Sequence, residues 1–272
     1  MAKKSKSPKH KKKSIGTAPS SVDSYLHRIT RQILAQNYVE AVVDGERLLN
    51  YLPKHAPQRL DALIHLGTAY SMLQNYPRAY EVLTEALTRD PLAADLWYNR
   101  SMACRFTGRM AQSLLDIQRA QELNTRDVLR DKISKALEVS RELAQKTMEL
   151  RGPNFTLEQL AEQEEHFQQG LSLMESGQWA PAGQAFQAAI DMGDCQPQPW
   201  GNLGISFMMQ ERYDEAEAAL KRAIAMDQTY TIAKDNLAAL PTIRRTGPPS
   251  LLGISDPFVN ADLKQSLTFI QE

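Results

Sequence analysis

The side chains that most often carry catalysis or bind metals are few in this sequence and are scattered along it. Two cysteines, Cys104 and Cys195, lie far apart and lack the paired spacing of a zinc site. The histidines also lack such spacing; they are His10, His27, His55, His65 and His166. No phosphate-binding glycine loop, GxSxG or HExxH motif is present. We therefore expect no catalytic residue, no metal site and no cofactor.

Positive charge is the one chemical feature that the sequence concentrates. Seven lysines occupy the first thirteen positions, whereas the rest of the chain carries 25 basic against 32 acidic residues. The seven are Lys3, Lys4, Lys6, Lys9, Lys11, Lys12 and Lys13. This composition predicts a disordered tail. The tail could contact nucleic acid or an anionic surface, act as a nuclear address, or simply keep the chain dissolved.

The composition of the remaining chain is that of a folded protein. Of the 272 residues, 42% are apolar and 24% are charged, a globular balance. No stretch approaches the roughly 18 apolar residues of a membrane span, and no apolar segment of a signal peptide follows the lysines. With only two cysteines, we expect a reducing, cytoplasmic compartment.

Two segments of the chain repeat one pattern of large and small residues. The first begins at Leu60 and contains Leu63, Leu66, Gly67, Tyr70, Ala79, Leu83, Ala86 and Pro91. The second begins at Pro197 and contains Trp200, Leu203, Gly204, Phe207, Ala216, Leu220 and Ala223. The large apolar residues recur at helical spacing, and the small residues stand where two helix backbones would approach closely. Each segment therefore predicts two antiparallel helices.

Weaker units continue the pattern on both sides. A unit from Ala94, 34 residues after Leu60, offers Trp97, Cys104, Ser113, Ile117 and Ala120. A unit from Gln163 offers Gly170, Leu173, Gly177, Trp179, Ala182, Phe186 and Ala189. A degenerate unit begins at Val22, and a last helix from Thr231 is expected to stop near Pro241 and cap the array.

These units resemble the tetratricopeptide repeat. The resemblance implies an all-α fold, a right-handed superhelix of helix-turn-helix units, with a concave surface lined by the first helix of each unit. It also implies a non-catalytic scaffold that binds a peptide or helix of a partner protein. The unit from Ala94 departs from the family pattern at Arg100 and Ser101, where leucine and glycine are usual.

The same resemblance points to candidate partner-binding residues on the concave face. Members of the family often carry an asparagine at the sixth position of the inner helix, where it can hydrogen-bond a bound peptide backbone. Here the position holds Asn99, Gln168, Asn202 and Asn236. Asparagine is also simply common there. Neighbouring candidates are Tyr98, Met102, Arg105, Phe106, Ile205, Met208 and Met209.

A charge comparison argues against one known use of the family. Members that bind the acidic C-termini of chaperones place lysine, arginine and asparagine at five clamp positions. Here those positions hold Leu26, Thr30, His65, Asp95 and Asn99, so the cations that would pair with a carboxylate are missing.

The predicted organisation has five parts. A lysine-rich tail (1–21) precedes an N-terminal repeat block (22–127), a helical spacer or degenerate repeat (128–162), a C-terminal block with a capping helix (163–245) and an apolar tail (246–272). Thr156 and Gln159 form a predicted capping box. The acidic residues Glu162, Glu164 and Glu165 are expected on a solvated face. The tail from Leu251 is apolar enough to predict docking.

Two functions are compatible with this pattern. The first is an interaction scaffold that binds another protein in the concave groove. The alternative is a nucleic-acid-associated factor in which Lys3 to Lys13 supply affinity and the repeats recruit a partner. The acidic balance of the folded body disfavours direct contact of that body with nucleic acid.

Overall fold

The computed structural model describes residues 21–248, which form twelve α-helices and no strand. Both the lysine tail and the apolar tail from Leu251 lie outside the described residues. The helices are α1 (Val22–Leu34), α2 (Tyr38–Tyr51), α3 (Gln58–Met72), α4 (Tyr76–Arg89), α5 (Ala94–Phe106), α6 (Met110–Leu123), α7 (Asp127–Glu149), α8 (Leu157–Glu175), α9 (Trp179–Met192), α10 (Pro197–Met209), α11 (Tyr213–Met226) and α12 (Thr231–Thr246). The all-α prediction is confirmed.

In five of the helix pairs, the two helices are joined by the same type of turn. The turn residue in each pair has a positive φ, which lies between 57° and 73°. The five residues are Gln36, Gln74, Gly108, Gly177 and Glu211. This left-handed conformation reverses the chain between antiparallel helices, and it favours glycine because a Cβ is strained there.

Small residues set the distance between the paired helices, as the pattern predicts. A Cβ built on Gly67 of α3 would lie 2.6 Å from a methyl carbon of Leu83 on α4. One built on Gly204 of α10 would lie 2.7 Å from Cγ of Leu220 on α11. Both separations are too short for real carbon contacts, so glycine allows the leucine to pack against the backbone.

The unit from Ala94 solves the same packing problem with polar residues. Arg100, at the usual leucine position, pairs with the buried Asp116 on α6. Ser101, at the usual glycine position, donates to the backbone oxygen of Ser113 at 2.9 Å. Ser113 in turn lies 2.9 Å from the hydroxyl of Ser140 on α7. A buried hydrogen-bonded network thus joins three successive helices of the array.

The segment predicted as a spacer is packed into the array. Its helix α7 places Ile133, Leu137 and Ala144 in one core cluster with Leu114 and Ile117 of α6. The next helix, α8, begins at the predicted capping box, and both reciprocal bonds between Thr156 and Gln159 are present. That prediction is confirmed.

One expectation needs correction, and one large side chain of the repeat pattern is only partly buried. Trp200 packs against the core of the C-terminal block, but its indole Nε1 reaches outward to Asp194 at 2.6 Å. Helix α12 does not stop near Pro241 but continues to Thr246. A proline removes one backbone donor and usually ends a helix; here Leu240 and Ile243, on either side of it, are buried against Met208 and Ala216.

Candidate partner-binding groove

The inner face of α5 is open and chemically mixed. Tyr98, Asn99, Met102, Arg105 and Phe106 follow helical spacing, so they share one face, and each of them keeps part of its surface accessible. Phe106 is 38% exposed, and its ring stacks on that of Tyr76 of α4. This face offers aromatic surface, one side-chain amide, one flexible thioether and one guanidinium.

An apolar row continues from α5 across the two preceding inner helices. The last helical residues of α1, α3 and α5 are Leu34, Met72 and Phe106, and they are 78%, 54% and 38% exposed. We call these three residues the apolar edge. Leu34 and Met72 stand at the repeat position that Phe106 occupies, although neither was among the predicted site residues.

Polar side chains on α1 and α3 are tied to one another beside this edge. His65 Nε2 lies 2.7 Å from the hydroxyl of Thr30, and its Nδ1 lies 2.5 Å from the carbonyl of Asp61. The hydroxyl of Thr30 also donates to Leu26 O at 3.0 Å. These bonds fix the side chains that replace the chaperone clamp, and none of them brings a cation into the groove.

The inner face of the C-terminal block is closed, which corrects part of the site prediction. Asn202 and Asn236 are only 1% and 2% exposed, and Met208 is 1% exposed. Helix α10 packs against α9, α11 and α12. Asn236 donates from Nδ2 to Ile232 O of its own helix at 2.9 Å. These residues are not offered to a partner in this conformation, whereas Met209 remains partly exposed.

Gln168 is also used within the chain. Its Nε2 donates to the backbone oxygen of Thr107, in the turn between α5 and α6, at 3.0 Å. The predicted amides Gln168, Asn202 and Asn236 therefore do not form an open binding surface. Of the four predicted amides, Asn99 is the one on the open face of the N-terminal block.

Glu164 is buried, contrary to the expectation of a solvated acidic face. Its Oε1 accepts from Met110 N at 2.7 Å and its Oε2 accepts from Ala111 N at 3.0 Å, at the start of α6. Burial raises the pKa of Glu164 to about 7, although the backbone donors and the nearby Arg151 favour its ionised form. Helix α8 is thus anchored to the N-terminal block.

The described residues hold no cluster of metal-binding side chains. No group of three histidine, cysteine or acidic side chains in residues 21–248 is placed to bind a metal ion. Cys104 is buried, and burial raises the pKa of its thiol far above its usual range, so it is an unreactive core residue. No helix of this part of the chain is long and apolar enough to cross a bilayer.

Solved structures with the same repeat architecture are numerous, but they superpose loosely. A protein named YrrB, described as having an unusual peptide-binding site, is 18% identical; the match covers 79% of this chain and 91% of that one, with a TM-score of 0.35. The TPR domain of P58(IPK) is 11% identical over 82% and 65%, with a TM-score of 0.43.

A third similar structure comes from Thermus thermophilus. This thermophilic TPR protein is 19% identical; the match covers 82% of this chain and 100% of that one, with a TM-score of 0.34. These likenesses concern the fold alone. A comparison with curated proteins found no match.

The family model for the tetratricopeptide repeat matches residues 46–127 and 167–231. These two ranges cover more than half of the chain, and they include the glycine–leucine contacts at Gly67 and Gly204. The chain belongs to the tetratricopeptide-repeat family.

Proposed function

We propose that this protein is a non-catalytic scaffold that binds a peptide or helix of a partner protein on the inner face of its N-terminal block. One observation carries the proposal. The inner-face residues of α5 keep part of their surface exposed, although Tyr98 and Met102 also pack against a core cluster, whereas the equivalent Asn202, Ile205 and Met208 of α10 are at least 98% buried. A partner can therefore reach the first face without disturbing the fold.

The chemistry of the open face suits a peptide. The amide of Asn99 can both donate to and accept from a peptide backbone, and Met102 adapts its shape to different apolar side chains. The apolar edge offers one exposed apolar side chain at the end of each inner helix of the N-terminal block. Exposed apolar residues grouped in this way are typical of interaction surfaces.

The expected setting of the scaffold is a reducing, cytoplasmic compartment. Both cysteines, Cys104 and Cys195, are free thiols in the structure, which is the usual state of cysteines in such a compartment. The nucleic-acid alternative depends on Lys3 to Lys13, outside the described residues, and no contact within residues 21–248 favours it.

Peptide selection tests the proposed function directly. The full chain would be panned against a phage-displayed library of random dodecapeptides, and the affinity of selected synthetic peptides would be measured by fluorescence anisotropy. Tyr98→Ala and Asn99→Ala should each weaken binding roughly three- to thirtyfold, the effect of losing about 0.7 to 2 kcal/mol of contact.

Gln187→Ala on the outer helix α9 is the matched control, since Gln187 is partly exposed and bonds only to Asp191 of its own helix among the contacts described. It should bind like the parent. If both α5 variants kept full affinity while melting normally, the inner face of the N-terminal block would not be the binding surface.

A further inference from the structure

Arg105 is a cation on the open inner face that lacks an anionic partner. It lies in the last turn of α5 and is partly buried. Its Nε is buried and meets no hydrogen-bond acceptor, and no ion pair joins its guanidinium to another residue within 21–248. The described contact of the guanidinium is from Nη2 to the sulphur of Met102, a weak acceptor.

The groups around Arg105 supply no full negative charge among the described residues. Burial lowers the pKa of Arg105, and the titratable group that acts against this shift is the phenol of Tyr98, which is neutral at physiological pH. The C-terminal end of α5 supplies only a partial negative charge. It does not provide an acceptor for the buried Nε.

Two other largely buried arginines of the same block have the carboxylate partner that Arg105 lacks. The side chain of Arg59 is 12% exposed and pairs with Glu85 at 2.9 Å. The side chain of Arg100 is 10% exposed and pairs with Asp116 at 2.7 Å. A guanidinium taken out of water is stabilised when a carboxylate accepts from it, and is costly when none does. Arg105 has the partial burial without the carboxylate.

We propose that Arg105 binds an acidic side chain, aspartate or glutamate, of the partner peptide. This inference rests on the proposed function and specifies its ligand. A carboxylate can accept two parallel N–H bonds from the planar guanidinium. The flanking Met102 and Phe106 then contact apolar side chains beside the acidic residue.

The position of α5 in the array favours a side chain over a C-terminal carboxylate. Helix α5 contacts both α3 and α7, so the array continues on either side of Arg105. A bound segment that crosses α5 can run on in both directions. An acidic residue within the segment therefore fits this position better than its last residue does.

Peptides selected on the full chain test the proposal. We expect them to share an aspartate or glutamate next to large apolar residues. Changing that residue to its amide in the synthetic peptide should weaken binding to the parent about tenfold or more, as expected for a charge-assisted pair. On the Arg105→Gln variant the same peptide change should alter affinity less than about twofold.

Two further variants control for charge and folding. Arg119→Gln removes an exposed arginine of the outer helix α6, whose described ion pair is with Glu122, and should leave the preference for an acidic peptide intact. Arg105→Lys keeps the charge but not the planar fork, so it should retain part of the preference. If Arg105→Gln melts early, the peptide change measured on the parent and on Arg105→Lys still decides.

The possible outcomes separate this inference from the proposed function. Selected peptides without an acidic residue, or a preference that persists undiminished in Arg105→Gln, would overturn the carboxylate site. So would a preference that vanishes when the peptide's C-terminus is amidated, because the ligand would then be a terminal carboxylate. If Tyr98→Ala and Asn99→Ala weaken binding while the preference for an acidic peptide persists in Arg105→Gln, the proposed function stands and the Arg105 site fails. A parent chain that selects no peptide would contradict both.

Discussion

Arg100 and Asp116 form a bidentate ion pair inside the third repeat unit, in which Nε and Nη2 each donate to a different carboxylate oxygen at 2.7 Å. Asp116 is fully buried and Arg100 is nearly so. The Arg100 guanidinium also lies 4.9 Å from the centre of the Trp97 ring. Arg100 stands where the family pattern places an apolar leucine, so its charge needs Asp116 as a buried partner.

We predict that Asp116→Asn destabilises the chain by about 3 to 5 kcal/mol, because it leaves the Arg100 guanidinium buried without its counter-charge. Replacing both residues, as Arg100→Met with Asp116→Leu, should recover most of this loss. Urea unfolding measures both effects. The exposed pair Arg119 and Glu122 is the control, and its removal should change stability by less than about 0.5 kcal/mol. A small effect of Asp116→Asn would mean that water reaches the pair.

Gly204→Ala should destabilise the C-terminal block by roughly 1 to 3 kcal/mol, since the added Cβ would overlap Leu220 in a packed core. Gly183→Ala in α9 is the matched control. A Cβ on Gly183 would have its nearest neighbours at 3.6 Å, an ordinary contact, so alanine should stabilise that helix by up to about 1 kcal/mol. Chemical denaturation of both variants would show opposite signs, and equal signs would contradict the packing described.

The stability of the parent should fall relative to Glu164→Gln as the pH rises. Burial raises the pKa of Glu164 from 4.5 to about 7 in the folded chain, so between these pH values the folded state binds more protons than the unfolded state. Stability therefore decreases across that window and levels off above it. The difference should reach roughly 1 to 3 kcal/mol.

Unfolding midpoints of the two proteins, measured in parallel from about pH 4.5 to about pH 8, would reveal the trend across both pKa values. Glutamine cannot ionise but keeps an oxygen that accepts from Met110 N. The other titratable groups are the same in both proteins, so their contributions cancel in the difference between the two stabilities. A constant difference across the range would show that Glu164 ionises near its ordinary pKa.

Gln163→Ala should destabilise the chain by about 2 to 4 kcal/mol, because its removal leaves buried polar groups unpaired. Gln163 is 4% exposed; its Nε2 donates to Ala189 O at 2.7 Å and to Gly193 O at 2.9 Å, and its Oε1 accepts from Arg151. Gln187→Ala, on the solvent side of α9, should remain within about 0.5 kcal/mol of the parent by thermal melting. Equal melting of the two variants would contradict the buried role of Gln163.

The sequence predicted the repeats because their signal is local and periodic. The glycine and leucine positions recur at the repeat interval, whereas the capping box at Thr156 and the helical spacing of α7 depend on neighbours within one or two turns of helix. The partners that replace leucine and glycine in the third unit lie sixteen and twelve residues away. The sequence showed that Arg100 departs from the repeat pattern, but it did not show that Asp116 is the ion-pair partner of Arg100.

The candidate site was predicted less well, because accessibility depends on how neighbouring units pack. Asn99, Asn202 and Asn236 occupy one sequence position, yet only Asn99 keeps accessible surface. The exposed fraction of each amide depends on the side chains of the neighbouring helices, and the periodic pattern contains no information about those contacts. Glu164 was misjudged for a similar reason, since its partners Met110 and Ala111 lie more than fifty residues away.

The distant cap at Glu164 has a consequence for folding during synthesis. Helix α6 has no capping side chain at its own start, and its first donors bond to a carboxylate 54 residues further along the chain. At about 5 to 20 residues per second on the ribosome, α6 waits roughly 3 to 10 seconds for that residue. The N-terminal block is therefore synthesised first, but the hydrogen bonds at the start of α6 form only after Glu164 has been synthesised. A nascent chain that pauses before Glu164 exposes two orphan amide groups at the start of α6, and the emergence of α8 closes them.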